Sequence, residues 1–222
     1  MFDASIEVLR GADLVLPVGC GQSERARSGE LDMETLDAIV SRRSIRRFRS
    51  DPLPRDLINR VLGAALMAPS PKNIQPWRIL VYEGSKRLEL VTIIRDGLKE
   101  RQGTRSSPAD LEYTLRAMEE APVVLLVFME ETELSSPTGF RDRDRVADIQ
   151  SIGACIQNLL LAAVDQGLGT LWICDILDAD DAVHRFLNRP DQLVAAVAIG
   201  YVAESPPERP RRPLAQSVIW VE

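Results

Sequence analysis

Ser41-Arg42-Arg43-Ser44-Ile45-Arg46-Arg47-Phe48, followed by Ala68-Pro69-Ser70-Pro71-Lys72-Asn73-Ile74-Gln75-Pro76-Trp77, is the most informative part of this chain. The first segment places four arginines and two hydroxyls in eight residues. Guanidinium forks hold phosphate oxygens through paired hydrogen bonds and stay charged, so this segment is a plausible phosphate grip. The second is a proline-punctuated polar loop running straight into the apolar Ile79-Leu80-Val81-Tyr82. Asn73 and Gln75 carry amide donors and acceptors able to read the edge of a flat heterocycle. Together the segments suggest a phosphorylated ring cofactor rather than a nucleic acid.

The background makes that local cluster stand out. The chain has 222 residues, enough for one domain with a substantial core. Its net charge of −6 and pI near 5.0 oppose a general affinity for nucleic acid or anionic membrane. Cys20, Cys155 and Cys174 are widely spaced and follow no metal-ligand pattern, and His184 is the single imidazole. A zinc site or a histidine-dependent triad is therefore poorly supplied, so neither a metal site nor a catalytic side chain is assigned. The apolar run Ala121 to Met129 is too short to span a bilayer. No cationic start precedes an apolar core at the N-terminus, and the cytoplasm is the expected compartment.

Hydrophobic spacing predicts the elements. Met33, Leu36, Ile39 and Val40 recur at helical intervals after Asp32, a suitable N-cap, and this helix presents the arginines at its exit. Leu57, Ile58, Val61, Leu62, Ala65 and Leu66 form the stripe of a second helix, opened by Pro54 and stopped before Pro69. A strand is expected over Ile79–Tyr82, and helices over Ser85–Glu120, broken around Gly103–Pro108. Ala121–Met129 reads as a buried strand. A polar loop fills Glu130–Arg145, and a long helix covers Val146–Gln166, stopped by Gly167. Strands at Thr170–Ile173 and Leu193–Tyr201 flank a short helix over Asp180–Leu187. Pro206–Pro213 is an extended Pro/Arg segment before a last amphipathic strand over Ser217–Val221. Residues 1–30 are weakly patterned, with a short strand at Leu14–Val18 and a connector over Gly19–Gly29. They are taken as an N-terminal extension of unknown role, leaving 31–222 as one domain of α+β or mixed α/β layers, a sheet covered by helices.

The two opening segments, read as Arg-Arg-Ser-x-Arg-x-Phe and Pro-Ser-x-x-Asn-x-Gln-Pro-Trp, resemble the nitroreductase family of FMN-dependent oxidoreductases. The likeness continues in Asn158-Leu159-Leu160-Leu161-Ala162-Ala163, Gly167-Leu168-Gly169-Thr170-Leu171-Trp172-Ile173 and Ala198-Ile199-Gly200-Tyr201 before a Pro/Arg tail. The resemblance implies a nitroreductase-like layered fold, with a central, mostly antiparallel sheet covered by helices. It also implies an intertwined homodimer with two FMN sites at the interface, each drawing on both chains. Arg42, Ser44 and Arg46 correspond to residues that bind the FMN phosphate and ribityl chain, with Arg43 adjacent through its backbone. Pro69, Ser70 and Asn73 correspond to positions beside the isoalloxazine, and Gln75 is either a ring contact or packing. Trp172, Ile173 and Cys174 would run along the flavin face with backbone N–H groups near N5. Arg209 and Arg211 would close the phosphate site, Arg211 first. Cys174 stands where many members have glycine, a departure that bears on the pocket's shape.

The implied reaction is ping-pong hydride transfer from NADH or NADPH, through flavin N5, to a small electron-poor acceptor. Other readings stand beside these. The arginines can be a solvated helix end, the Pro69–Trp77 stretch an ordinary loop, and Cys174 a buried inert thiol. Within flavin chemistry, the flavin-cleaving enzyme of lower cobalamin ligand synthesis and the reductase domain linked to a deazaflavin-cofactor ligase share the motifs. A non-catalytic flavin-binding module is the reading outside enzymology. The irregular, charged segment from Arg95 to Glu120 is expected to be a lid.

Overall fold

In a computed structural model of the chain, residues 33–100, 107–130 and 141–221 are described, the side chains of residues 141 and 142 excepted. Contacts group Glu34–Glu222 into one compact unit. The elements expected at Leu14–Val18 and Gly19–Gly29 lie outside the described residues.

In chain order the helices are α1 (Thr35–Ser41), α2 (Arg55–Leu66), α3 (Gly84–Glu100), α4 (Pro108–Glu120), α5 (Arg141–Asp165) and α6 (Asp180–Leu187). The strands are β1 (Trp77–Glu83), β2 (Val123–Met129), β3 (Gly169–Ile173) and β4 (Gln192–Gly200), paired antiparallel in the order β1-β2-β4-β3. The fold is thus α+β, with an antiparallel sheet between helical layers.

Every residue of β2 is buried, because both faces of this inner strand are covered. Val123, Leu125 and Val127 pack with Ile58 and Val61 of α2 and Ile152, Ile156 and Leu159 of α5. Val124, Leu126 and Phe128 face the other way, toward Leu90 and Ile94 of α3, Met118 of α4 and Val183 of α6. That two-sided burial explains why the stretch reads as a continuous apolar run rather than an alternation. The β2–β4 register shifts between Val127 and Phe128, which pair with Ala195 and Leu193. The extra residue, Val194, re-aims β4 so that Leu193 joins the α3 side while Ala195 joins the α5 side.

By length and hydropathy, α5 matches a bilayer-crossing helix over Arg143–Asp165. Its apolar stripe of Ile152, Cys155, Ile156, Leu159, Leu160 and Ala163 is nevertheless buried against the sheet and α2, which accounts for the composition without a membrane.

Three expectations need correction. Helix α1 begins after Glu34, which supplies no side-chain cap, and Asp32 lies outside the described residues. Its expected stripe is turned outward: Ala38 is buried, while Leu36, Ile39 and Val40 are exposed. Helix α5 starts at Arg141, inside the expected loop. Ser217–Val221 forms no strand; a single 3-10 turn over Leu214–Gln216 precedes it, and Ile219 is 87% exposed. A strand needs a neighbouring edge, and the apolar period of this tail meets none within the described residues.

The stretch expected as an irregular lid is regular over its described part. Ser107 caps α4 by accepting from Asp110 N, and Leu111, Leu115 and Met118 bury its inner face. Arg95 of α3 pairs with Glu112 and Glu119, and Arg87 donates to the Met118 and Glu119 carbonyls. These contacts make α4 part of the core.

Candidate functional site

The arginine segment leaves α1 and runs along the free edge of β3. Ser44 bridges Thr170 in parallel, and Phe48 bridges Val202 antiparallel. Ile45 N donates to Thr170 O at 2.9 Å, Arg49 N to Tyr201 O at 2.9 Å, and Ala203 N to Arg47 O at 3.0 Å. Two glycines allow this close approach. A Cβ on Gly169 would stand 2.8 Å from Ile45 Cγ1, and one on Gly200 would stand 2.5 Å from Pro122 Cδ and 3.0 Å from Phe48 Cδ1. Ile45 and Phe48 are buried, at 5% and 6% exposure, and anchor the segment.

Beside it opens a cleft of about 560 Å³, walled by α1, α4 and the Pro/Arg tail. Arg42, Arg43, Ser44, Arg46, Arg209 and Arg211 all line it, so the structure gathers the expected phosphate-binding residues from both ends of the chain. Five guanidinium groups face three carboxylates, Asp110, Glu204 and Glu208, leaving two positive charges in excess. That surplus matches a phosphate monoester, which carries nearly two negative charges at neutral pH.

The arginines differ in what they already hold. Arg43 donates to Val40 O at 2.6 Å and Arg42 O at 3.0 Å, and lies 3.7 Å from Glu208. It therefore closes the C-terminal end of α1 and ties it to the tail, where the helix dipole favours a cation. Arg46 lies over the Tyr113 ring at 5.8 Å. Sequence reasoning missed Tyr113 and Asp110. They sit three residues apart on the outer face of α4, and nothing in their local pattern marks a site. Glu204 and Glu208 were missed as well, hidden in a tail read only for its arginines.

Trp172, Ile173 and Cys174 do not line this cleft. They follow Thr170 along β3, whose other side pairs only with β4. Ile173 points into the α3-side core, whereas Trp172 and Cys174 are exposed. Apart from the Ser44–Thr170 bridge, the outer edge of β3 has no neighbouring strand among the described residues. Of this strand only Trp172 is exposed. Thr170 Oγ1, buried behind Ser44, has no hydrogen-bond partner among the described residues. Although Cys174 is exposed as a residue, partial desolvation of its thiol and then the Asp175 charge push it up, so it is a poor thiolate at neutral pH.

Pro69, Ser70, Asn73 and Gln75 lie elsewhere. Their loop enters β1 at the opposite edge of the sheet, with two strands between β1 and β3. At about 4.8 Å per strand step, roughly 14 Å separates the two outer strands. The loop is strained: Lys72, Asn73 and Gln75 all have positive φ, at 51°, 56° and 49°. Such backbone persists only where its surroundings over-determine it. Here Asn73 N donates to Ser70 O at 3.0 Å, and Gln75 N to Ser70 Oγ at 2.9 Å. Ser70 thus acts as the loop's internal brace.

His184, given no role from sequence, is half-buried and structural. Its Nδ1 lies 2.6 Å from Arg189 O and its Nε2 3.0 Å from Asp180.

Comparison with known proteins agrees with this layout. A Thermus thermophilus NADH dehydrogenase is 32% identical, over 86% of this chain and 96% of its own. A Desulfovibrio desulfuricans protein assigned as a nitroreductase, solved in complex with FMN, is 29% identical with a TM-score of 0.68. The match covers 86% of this chain and 99% of that one. An FMN-dependent nitroreductase from Mycobacterium smegmatis, solved with NADPH, shares the fold at 20% identity and a TM-score of 0.66, over 83% of this chain and 96% of its own. The family model described as the nitroreductase family matches residues 39–201, most of the chain. The chain belongs to the nitroreductase family.

Proposed function

We propose that this protein is an FMN-dependent NAD(P)H oxidoreductase that reduces a small electron-poor acceptor of the nitroaromatic, quinone or enone type. The observation that carries the reading is the convergence of Arg42, Ser44, Arg46, Arg209 and Arg211 on one cleft with an excess of positive charge. Bound there, FMN would supply hydride-transfer chemistry between NADH or NADPH and the acceptor, in a ping-pong order.

The residues have separable tasks in this reading. Arg42 and Arg46 hold the phosphate with the Ser44 hydroxyl, and Arg209 and Arg211 close over it from the tail. Arg43 braces the end of α1. The open edge of β3 at Trp172, Ile173 and Cys174 offers backbone donors to the ring, where they favour its reduced, anionic form. Pro69, Ser70, Asn73 and Gln75 sit at the far edge of the same chain, so a second copy is the natural source of the loop that completes each site.

A homodimer is supported by a second observation. Val218, Ile219, Trp220 and Val221 are 39%, 87%, 81% and 92% exposed, and Leu36, Ile39 and Val40 of α1 are exposed as well. Burying such side chains is worth about 1.5–3 kcal/mol each, a strong drive toward a partner. Residues 1–30 are set apart as an extension.

The test is an absorbance spectrum of the purified protein, followed by anaerobic addition of NADH and of NADPH. Flavin bands bleached by either nucleotide support the reductase and name its donor. Bound flavin that neither nucleotide bleaches favours the flavin-cleaving or deazaflavin-linked relatives. A colourless protein that refuses added FMN overturns the assignment. Light scattering at micromolar concentration reads the dimer independently, and a monomer would overturn the shared site.

A further inference from the structure

Five consecutive peptide N–H groups, from Ile45 to Arg49, carry the arginine segment past the edge of β3. The two outer ones are held by backbone carbonyls, Thr170 O and Tyr201 O. The three inner ones are not. Arg46 N and Arg47 N both donate to Glu204 Oε1, the latter at 3.2 Å. Phe48 N donates to Glu120 Oε2 at 3.3 Å, and the same carboxylate accepts from Arg47 Nε and Arg116 Nε at 2.9 Å each. Two side chains therefore stand where a neighbouring strand would normally supply carbonyls.

Glu204 also lines the cleft. A carboxylate in an anion site opposes the ligand through its charge. Its presence needs a compensating task, and the hydrogen bonds to Arg46 N and Arg47 N supply one.

We propose that Glu204 and Glu120 are positioning residues: a pair of carboxylates that fixes the register of the arginine segment and so sets cofactor affinity without touching the cofactor. The inference rests on the FMN reading above. In the observed register Ser44 and Arg46 face the cleft, Ile45 enters the core, and Arg47 turns to Glu120. A slip by one residue would carry Arg46 into the buried position of Ile45 and Arg47 into that of Arg46. It would aim Arg47 at the cleft and drive a guanidinium toward the core. Fixed-length side chains reaching in from α4 and from the segment after β4 oppose that slip.

The discriminating comparison is Glu204→Gln against Glu204→Ala in the full-length protein. Glutamine keeps an acceptor for the two N–H groups and removes the charge; alanine removes both. Positioning predicts that E204A weakens FMN binding about tenfold, the scale of losing hydrogen bonds to a charged acceptor, while E204Q binds at least as tightly as wild type. Simple charge repulsion predicts that both variants tighten binding, and that result overturns the proposal.

Amide hydrogen exchange over residues 44–50, measured without FMN, reads the clamp directly. Exchange should accelerate in E204A and in Glu120→Ala but not in E204Q. Unchanged exchange in both alanine variants overturns it. Should E204A fail to fold, Glu204→Asp shortens the reach and must move exchange and affinity in the same direction. If wild type binds no FMN, the proposed function falls, and the exchange comparison still decides the clamp.

Discussion

The two edges of the sheet are built differently. At the β3 edge, the arginine segment satisfies its backbone within the chain, through Thr170, Tyr201, Glu204 and Glu120. At the β1 edge, the Pro69–Trp77 loop holds three non-glycine residues at positive φ, braced by Ser70 and by the Ile74–Pro71 and Glu130–Pro76 backbone bonds. One edge is a finished grip. The other stores local strain in a loop whose amide side chains are largely uncommitted, the expected condition of a contact completed by something outside the single chain.

The largest effect should come from stripping the grip. Arg42→Ala combined with Arg46→Ala should weaken FMN binding by about 100-fold or more, since each charge-assisted contact is worth about 1.5–3 kcal/mol. The melting midpoint should hold, because Arg42 and Arg46 line the cleft rather than the core. Flavin fluorescence quenching gives the affinity; retention of wild-type affinity would show that Arg42 and Arg46 do not hold the phosphate.

Crowding the finished edge should cost stability instead. In Gly200→Ala the new Cβ meets Pro122 Cδ at 2.5 Å, backed by the buried Phe48. A loss of about 1–3 kcal/mol in urea unfolding is expected, typical of forced overpacking. A neutral result would mean that the arginine segment lies looser than described.

The strained edge should respond with the opposite sign. Lys72 has φ of 51° and an exposed side chain. Lys72→Gly should stabilise the fold by up to about 1 kcal/mol, as relief of left-handed strain outweighs the added chain entropy. Destabilisation would show that the loop is held by its side chains after all.

The smallest effect lies in pH. Burial alone would raise the Glu120 carboxyl, but hydrogen bonds from Arg116, Arg47 and Phe48 N outweigh it and hold the group below the usual carboxylate range. A depressed folded value means that the stabilisation is present above the unfolded value, near 4.5, and is lost as pH falls through the folded one. Wild type should therefore exceed Glu120→Gln in stability at pH 6, with the gap closing as pH falls below the unfolded value. A pH-independent gap would remove Glu120's charge from the account.

How much of this was legible in the sequence depended on the range of the causes. Helix α6 falls at the residues its pattern predicts, and β2 within two residues, because hydrophobic period and proline or glycine stops act over a few positions. Arg42, Ser44 and Arg46 stood out locally because guanidinium groups beside a hydroxyl suit phosphate, whereas Arg209 and Arg211 could be named only through the family resemblance. Helix α1 and the C-terminal tail were misread for one shared reason. An apolar stripe says that a surface is to be buried but not by what, and within a single chain Leu36 and Ile219 remain outside.

Composition and local pattern alone determined a layered architecture of helices on a sheet, the buried central strand and the local concentration of arginines. Tertiary structure alone decided that residues 42–46 and 209–211 share one cleft, and that Tyr113 and Glu204 stand inside it. It also set the Asn73 loop on the far edge of the sheet. Those are relations between residues tens to more than a hundred positions apart. Their energies come from packing and hydrogen bonds that exist only once the sheet has ordered its strands, so no window of sequence contains them.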